Sequence, residues 1–205
     1  KGFEGAKYIC SPPPRSLHDQ EQIWLGIKTG VFQVFSSDHS PFRFDSDKGK
    51  KVEGSETKFC NVPNGVPGIE TRLPLLMSKG VLDERIDIQK FVSLTSTGPA
   101  KIYGLYPRKG TIAPGSDADL VIWDTKNKFT LSNSLLHHNV DYTPYEGFEL
   151  NAWPKSVISR GELIIHDGDL NANPGRGIFL KSALPMPART FDKSSLLDRI
   201  EKKVF

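Results

Sequence analysis

Apolar positions recur along this chain in several rhythms, and each rhythm predicts a different element. The run Val31-Phe32-Gln33-Val34-Phe35 is β-branched and aromatic, follows Gly30 and stops at Ser36-Ser37-Asp38, which predicts a buried strand ending on Asp38. Lys7-Tyr8-Ile9-Cys10 predicts a shorter strand, turned out of its sheet at Ser11 by the three prolines that follow. Between them, Ile23, Trp24 and Ile27 share one side of a helical stretch from Asp19 to Gly30, with Glu21 and Lys28 outside and Gly30 as the stop. Strand, loop, helix and strand in succession is the order of an α/β layer architecture.

Residues 43–60 carry no periodicity and many charges, which predicts a long surface loop. It runs into Asn61-Val62-Pro63-Asn64-Gly65-Val66-Pro67-Gly68, where prolines and glycines fix tight turns. Ile69 to Lys79 is helical in pattern, with Pro74 as a bend and Gly80 as the stop. Ile86 to Tyr103 is helical again, with Ile88, Phe91, Val92 and Leu94 on one face, an interruption over 95–99 and a new short helix from Ala100. After Lys109-Gly110 the rhythm becomes strand and turn: Leu120–Trp123, Ser156–Ser159 and Glu162–His166, the last two joined by a hairpin at Arg160-Gly161. These changes divide the chain into an α/β part over 1–109, a small β part over 110–170 and a Pro-, Gly- and Lys-rich tail over 171–205, with a short helix from Ser194 to Lys203.

Composition narrows the classes. At 205 residues, 37% hydrophobic and 25% charged, the chain has enough apolar material for a core, so disorder throughout is excluded. A net charge of +3 is too small and too evenly spread to predict a nucleic-acid partner. The basic cluster Lys48, Lys50, Lys51 is surrounded by Asp45, Asp47, Glu53 and Glu56 and reads as a solvated loop. No apolar run approaches the roughly 20 residues of a membrane helix, and no basic-then-apolar signal segment opens the chain, so no membrane association is expected. Cys10 and Cys60 have no CxxC partner, which fits a reducing, cytoplasmic compartment. A chain that starts on Lys1 reads as processed or partial.

The candidate chemistry centres on Asp38. In parallel α/β folds the C-terminal ends of strands are where loops converge on one crevice. An aspartate there can equally well cap the following turn. The proline-frozen segment at Ser11 and the turn around Asn64 leave backbone groups available to a ligand, although both are also plain punctuation. His39, His137 and His138 have neither HxH nor HxxxH spacing, and the adjacent pair would point to opposite sides of a strand; structural roles are expected for all three. There is no GxSxG elbow, P-loop or GxGxxG.

Taken together, Lys7 to Pro13, Ser37-Asp38-His39, Val62-Pro63-Asn64-Gly65, Phe91 to Leu105, Lys109 to Asp124, Asp141-Tyr142, Tyr145-Glu146-Gly147 and Ser159-Arg160-Gly161 resemble the C-terminal half of dihydropyrimidinases and D-hydantoinases. These are cyclic amidohydrolases. The resemblance implies the C-terminal part of a (β/α)8 barrel plus the C-terminal share of a β-sandwich, in a homo-oligomer, a tetramer, that the tail helps to build. It implies a zinc-dependent hydrolase of pyrimidine catabolism that opens small cyclic amides or imides, dihydropyrimidines or hydantoins, to N-carbamoyl amino acids.

By the same resemblance Asp38 binds one of two zinc ions, takes a proton from the bridging hydroxide and returns it to the leaving nitrogen, a division of labour that metal and carboxylate chemistry supports. Ser11 and Asn64 hold the imide or amide edge of the ring, largely through backbone groups. The family draws its HxH pair, carboxylated lysine and two further histidines from an N-terminal half absent here, and one aspartate cannot hold two zinc ions. The expectation is therefore a chain inactive alone: part of a longer polypeptide, or a truncated gene product. The alternative within the same fold is a non-catalytic dihydropyrimidinase-related assembly protein; those relatives lose the aspartate and the asparagine, and this chain keeps Asp38 and Asn64.

Overall fold

Helix α1, Leu17–Thr29, is built from both ends by local chemistry. The Ser16 side chain accepts the N–H of Asp19, and the Asp19 carboxylate accepts from the Ser16 N–H at 3.3 Å, a reciprocal capping box. The helix thus starts two residues before the sequence pattern suggested, with Asp19 in its first turn. At the far end Gly30 turns left-handed (φ 80°) and the Val31 N–H reaches back to the Gly26 carbonyl at 2.9 Å. Ile27 is buried and Trp24 packs against the same cluster.

Two predicted strands are not strands. Gly2–Tyr8 is a 3₁₀ helix, stitched by a Glu4–Lys7 ion pair three residues apart at 2.7 Å, and Ile9 and Cys10 belong to neither helix nor strand. Val31–Phe35 carries no strand assignment. A strand requires a neighbour, and among the described residues helices stand where a ladder would: the Phe35 N–H donates to the Leu94 carbonyl at 3.0 Å, and the Arg72 guanidinium donates to the Phe35 carbonyl at 2.6 Å. The computed structural model describes residues 2–187, so the helix expected over Ser194–Lys203 lies outside the described residues.

Residues 43–60 are also not a plain solvated loop. They hold an exposed strand, β1 (Val52–Ser55), and a folded turn whose Phe44 joins Ala6, Val62 and Tyr142 in a small core. Asp141 fixes that turn, its carboxylate accepting the N–H groups of Phe44 (2.6 Å) and Asp45 (2.9 Å).

The helical middle runs as α2 (Arg72–Leu76), a π turn over Met77–Leu82, α3 (Ile88–Val92), a second π turn over Ser93–Thr97, and α4 (Gly98–Ile102). Pro74 lies in the first turn of α2, where its missing N–H has no helical partner to lose. Gly80 lies inside the π turn instead of ending the helix, and the turn closes at Asp83. The interruption expected at 95–99 is the second π turn, an over-wide stretch that passes straight into α4.

Seven buried residues form the larger core: Ile27, Leu76, Met77, Ile86, Phe91, Leu94 and Ala152. Trp123 packs edge-on against Phe91 with ring centres 5.8 Å apart, joining helices to sheet. That sheet contains β2 (Leu120–Asp124), β5 (Trp153–Ser159), β6 (Glu162–His166) and β7 (Asp169–Leu170), all antiparallel in the order β2-β5-β6-β7. A separate pair is formed by β3 (Phe129–Thr130) and β4 (Glu149–Leu150). Ser159 faces Glu162, so Arg160 and Gly161 make the predicted two-residue hairpin, both at positive φ (49° and 82°). The chain after β7 returns to the helices, where the Ala183 N–H donates to Gly104 O at 2.8 Å.

Leu94 is 2% exposed at the centre of the core, while Leu17 is 79% exposed. Leu94→Ala should lower the unfolding free energy by about 2–5 kcal/mol in urea titration, against about 0.5 kcal/mol or less for Leu17→Ala.

Candidate functional site

Three loops converge in front of the helical core: 8–12, 36–41 and 61–68. They enclose a cavity of about 380 Å³ whose lining includes Ser11, Asp38 and Asn64, together with Cys10, Ser40 and Val66. All three residues singled out in the sequence are therefore brought to one place. The Asn64 side-chain amide donates to the Ser11 hydroxyl at 3.0 Å, joining the two segments expected to read a ligand's edge.

Asp38 sits at φ 47°, in the left-handed region where aspartate is tolerated but not at rest. Among the described residues no hydrogen-bond donor pairs with its carboxylate. The next residue anchors the loop: the N–H groups of Gly68 and Ile69 donate to His39 Nδ1 at 3.0 and 3.2 Å, which places the proton of a neutral ring on Nε2. His39 lies 6.5 Å from the His138 ring, roughly parallel to it. His138 bonds Asn133, and His137 bonds Glu70 at 2.8 Å, so each of the three histidines has a protein partner. Burial pushes His138 below the ordinary histidine pKa, with Glu70 opposing and His39 adding to the effect.

The loops hold one another through backbone groups. Gly65 N–H donates to Ile9 O at 3.0 Å, and Ser40 N–H donates to Val66 O at 3.2 Å. Gly65 is at φ 141°, and a Cβ there would lie 2.3 Å from the Ser40 carbonyl oxygen, so both conformation and space demand glycine.

The residue that sequence reasoning missed is Lys50. Lys51 pairs with Asp45 at 3.1 Å on the surface as a solvated cluster would, but Lys50 is 0% exposed. Its ammonium donates to Ile9 O (3.2 Å), Pro63 O (2.6 Å) and Gly65 O (2.8 Å). Burial pushes its pKa below the ordinary lysine value, and Cys10 pulls it back in part. Gly49 beside Lys50 leaves no room for a side chain, since a Cβ would meet the Arg43 carbonyl oxygen at 2.0 Å, but nothing in the sequence sets Lys50 apart from Lys48 and Lys51.

Asp141 completes the support. Burial raises its carboxyl pKa, but the N–H donors of Asp45 and Phe44 outweigh that and hold it below the ordinary carboxylate value. Its neighbour Tyr142 is pushed upward by burial, its hydroxyl lacking a partner among the described residues. A second cavity, about 360 Å³ and lined by Phe129, Leu131 and Trp153, contains none of the three predicted residues. Among the described residues there is also no group of three or more His, Cys, Asp or Glu placed to hold a metal ion.

Residues 14–164 match the sequence model of the amidohydrolase family. The chain belongs to that family. As an amidohydrolase it is 41% identical over 179 residues to a D-hydantoinase of Rhizobium radiobacter and 42% identical over 179 residues to one of Ralstonia pickettii; each match covers 87% of this chain and 38% of the relative. Among solved structures, a D-hydantoinase from Bacillus sp. AR9 superposes with a TM-score of 0.84 at 44% identity, covering 90% of this chain and 39% of that one. A dihydropyrimidinase from Brevibacillus agri NCHU1002 superposes with a TM-score of 0.84 at 41% identity, covering 92% and 40%. This amidohydrolase chain thus spans about two fifths of the length of the relatives it matches. The superpositions support the α/β class.

Two outcomes follow from this geometry. Gly65→Ala should destabilise the protein by about 2 kcal/mol or more in urea titration, because the new Cβ is both strained and blocked. Asp141→Asn should lower stability at neutral pH, with the gap to the parent closing in acid. The folded-state pKa of Asp141 is depressed, so its contribution is present above the unfolded value of about 3.9 and disappears as pH falls through the folded value. Thermal melting of both proteins between pH 7 and pH 2 checks the sign.

Proposed function

We propose that this chain is the C-terminal part of a hydrolase that opens cyclic amide or imide rings, a dihydropyrimidine or hydantoin, to the N-carbamoyl amino acid. The observation that carries the reading is the cavity that gathers Asp38 and the bonded Ser11–Asn64 pair, in a chain more than 40% identical to D-hydantoinases over most of its length. In the fold, helices giving way to an antiparallel sheet support the C-terminal part of a (β/α)8 barrel over 1–109 and a share of a β-sandwich over 110–170. A homotetramer that uses the tail over 171–205, and a cytoplasmic location suited to the free Cys10 and Cys60, belong to the same proposal.

In this reading Asp38 is the acid and base. Its carboxylate takes the proton of the attacking water; when the ring C–N bond breaks, the same carboxyl delivers the proton to the departing nitrogen. Its left-handed backbone, and a carboxylate without a partner among the described residues, suit a group that must exchange partners during turnover. Ser11 and Asn64 present backbone groups to the ring's amide edge, fixing which carbonyl meets the water.

Zinc is the metal we assign, as two ions whose chemistry is to activate water and polarise the carbonyl. The described residues do not make that site: Asp38 is the one acidic side chain in the cavity lining, and the HxH pair, bridging lysine and further histidines have no counterparts beside it. The chain alone is accordingly assigned no activity, and the missing ligands are assigned to the part of the family framework that it does not span. A non-catalytic, assembly-type relative is the lesser reading, because the Asp38 and Asn64 it would discard both line the cavity.

The test is ring opening of hydantoin and dihydrouracil by the full-length polypeptide that carries this chain, supplied with zinc. Asp38→Ala should reduce the rate by about 10²–10⁴-fold with the protein still folded, and Asn64→Ala, which cuts the side-chain bond to Ser11 that aligns those backbone groups, should raise KM roughly tenfold. A zinc-loaded parent that opens neither ring overturns the assignment for these substrates, and an active Asp38→Ala removes the acid/base role.

A further inference from the structure

Lys50 is a buried cation with no carboxylate beside it among the described residues. Each of its three ammonium protons goes to a backbone carbonyl, and the three carbonyls come from both walls of the candidate site: Ile9 precedes the Cys10-Ser11 segment, while Pro63 and Gly65 bracket Asn64. A buried charge is retained against its desolvation only where such groups satisfy it. A bond of this kind also acts through the peptide plane, because a carbonyl that accepts from a cation makes the N–H of the same peptide unit a stronger donor.

The peptide units concerned end in the N–H groups of Cys10, Asn64 and Val66. All three residues line the cavity, and nothing among the described residues accepts from those N–H groups. One ammonium therefore sits behind three free donors that belong to cavity-lining residues. Lys50 also closes its own loop, its N–H donating to Arg43 O at 2.8 Å, and that loop is fastened to Asp141.

We propose that Lys50 is a positioning residue: its ammonium locks the Ile9–Ser11 and Pro63–Val66 segments into one frame and strengthens the backbone donors there that bind the anionic or carbonyl edge of a cyclic amide. The substrate half of this statement rests on the hydrolase reading above. The frame half does not.

The experiment uses the full-length polypeptide carrying this chain, zinc-loaded, with Lys50→Met, Lys50→Arg and, as a surface control, Lys51→Met. Hydantoin kinetics, bound zinc and hydrogen–deuterium exchange are read together. Lys50→Met should raise KM at least tenfold with a smaller change in kcat in the folded, zinc-loaded fraction, while amides at 9–11 and 64–66 exchange at least tenfold faster together. Lys50→Arg, which keeps charge and donors, should recover a substantial part of both effects, and Lys51→Met should show neither. A residue needed only for folding would lower kcat in proportion to lost folded or zinc-loaded protein and leave KM unchanged, which overturns the proposal. So does a folded Lys50→Met with KM within twofold of the parent, or with the two segments exchanging at parental rates. If Lys50→Met does not fold, Lys50→Gln is read by the same criteria. If the parent opens no ring, the hydrolase reading fails, and exchange still decides whether Lys50 holds the frame.

Discussion

The constraint on which the candidate site depends is a single ammonium held by three carbonyls. Removing a lysine from water is unfavourable by several kcal/mol, and hydrogen bonds to a charged group return about 1.5–3 kcal/mol each. Those magnitudes nearly cancel, so Lys50 adds little net stability; what it adds is order. The backbone just before Ser11 and on either side of Asn64 cannot move without breaking a charge-assisted bond. Gly65 and Ser40 pass that order to the Asp38 loop, through a contact too close for any Cβ.

The Asp38 loop is fixed from its other side by the helical core. Phe35 is bonded at both backbone groups, by Leu94 and by Arg72, and three residues later the chain turns left-handed at Asp38. The ladder that ordinarily steadies such a segment is replaced by contacts from α2 and the π turn after α3. Val31, just upstream, is 71% exposed, an apolar residue with little cover. An open apolar face beside a well-tied loop is what a chain spanning about two fifths of its relatives' length presents.

What could be read from the sequence divides by the range of the interaction. The stop at Gly30 and the Arg160-Gly161 hairpin depend on neighbours a few residues away, and both were legible; the cap at Ser16 is as local, yet the apolar pattern started the helix at Asp19 and passed it over. Ser11, Asp38 and Asn64 were legible as suspects because proline, glycine and polar knots punctuate the chain around them; that they share a cavity came only with the structure. Lys50 was not legible, since the carbonyls that bury it lie 41, 13 and 15 residues away and carry no side-chain signature. Val31–Phe35 misled for a related reason: β-branched and aromatic residues announce an extended, half-buried segment, and only the partners decide whether it becomes a strand.

The most direct test of this account is where a cyclic amide sits. A crystal structure of the full-length polypeptide carrying this chain, with dihydrouracil or a non-hydrolysable ring analogue bound, should place the ring's amide edge about 2.7–3.2 Å from backbone groups of Ser11 and Asn64, with the Asp38 carboxylate within reach of the ring nitrogen. A ring lodged elsewhere, in the cavity beside Trp153 for instance, with the space between Ser11, Asp38 and Asn64 left empty, would contradict it.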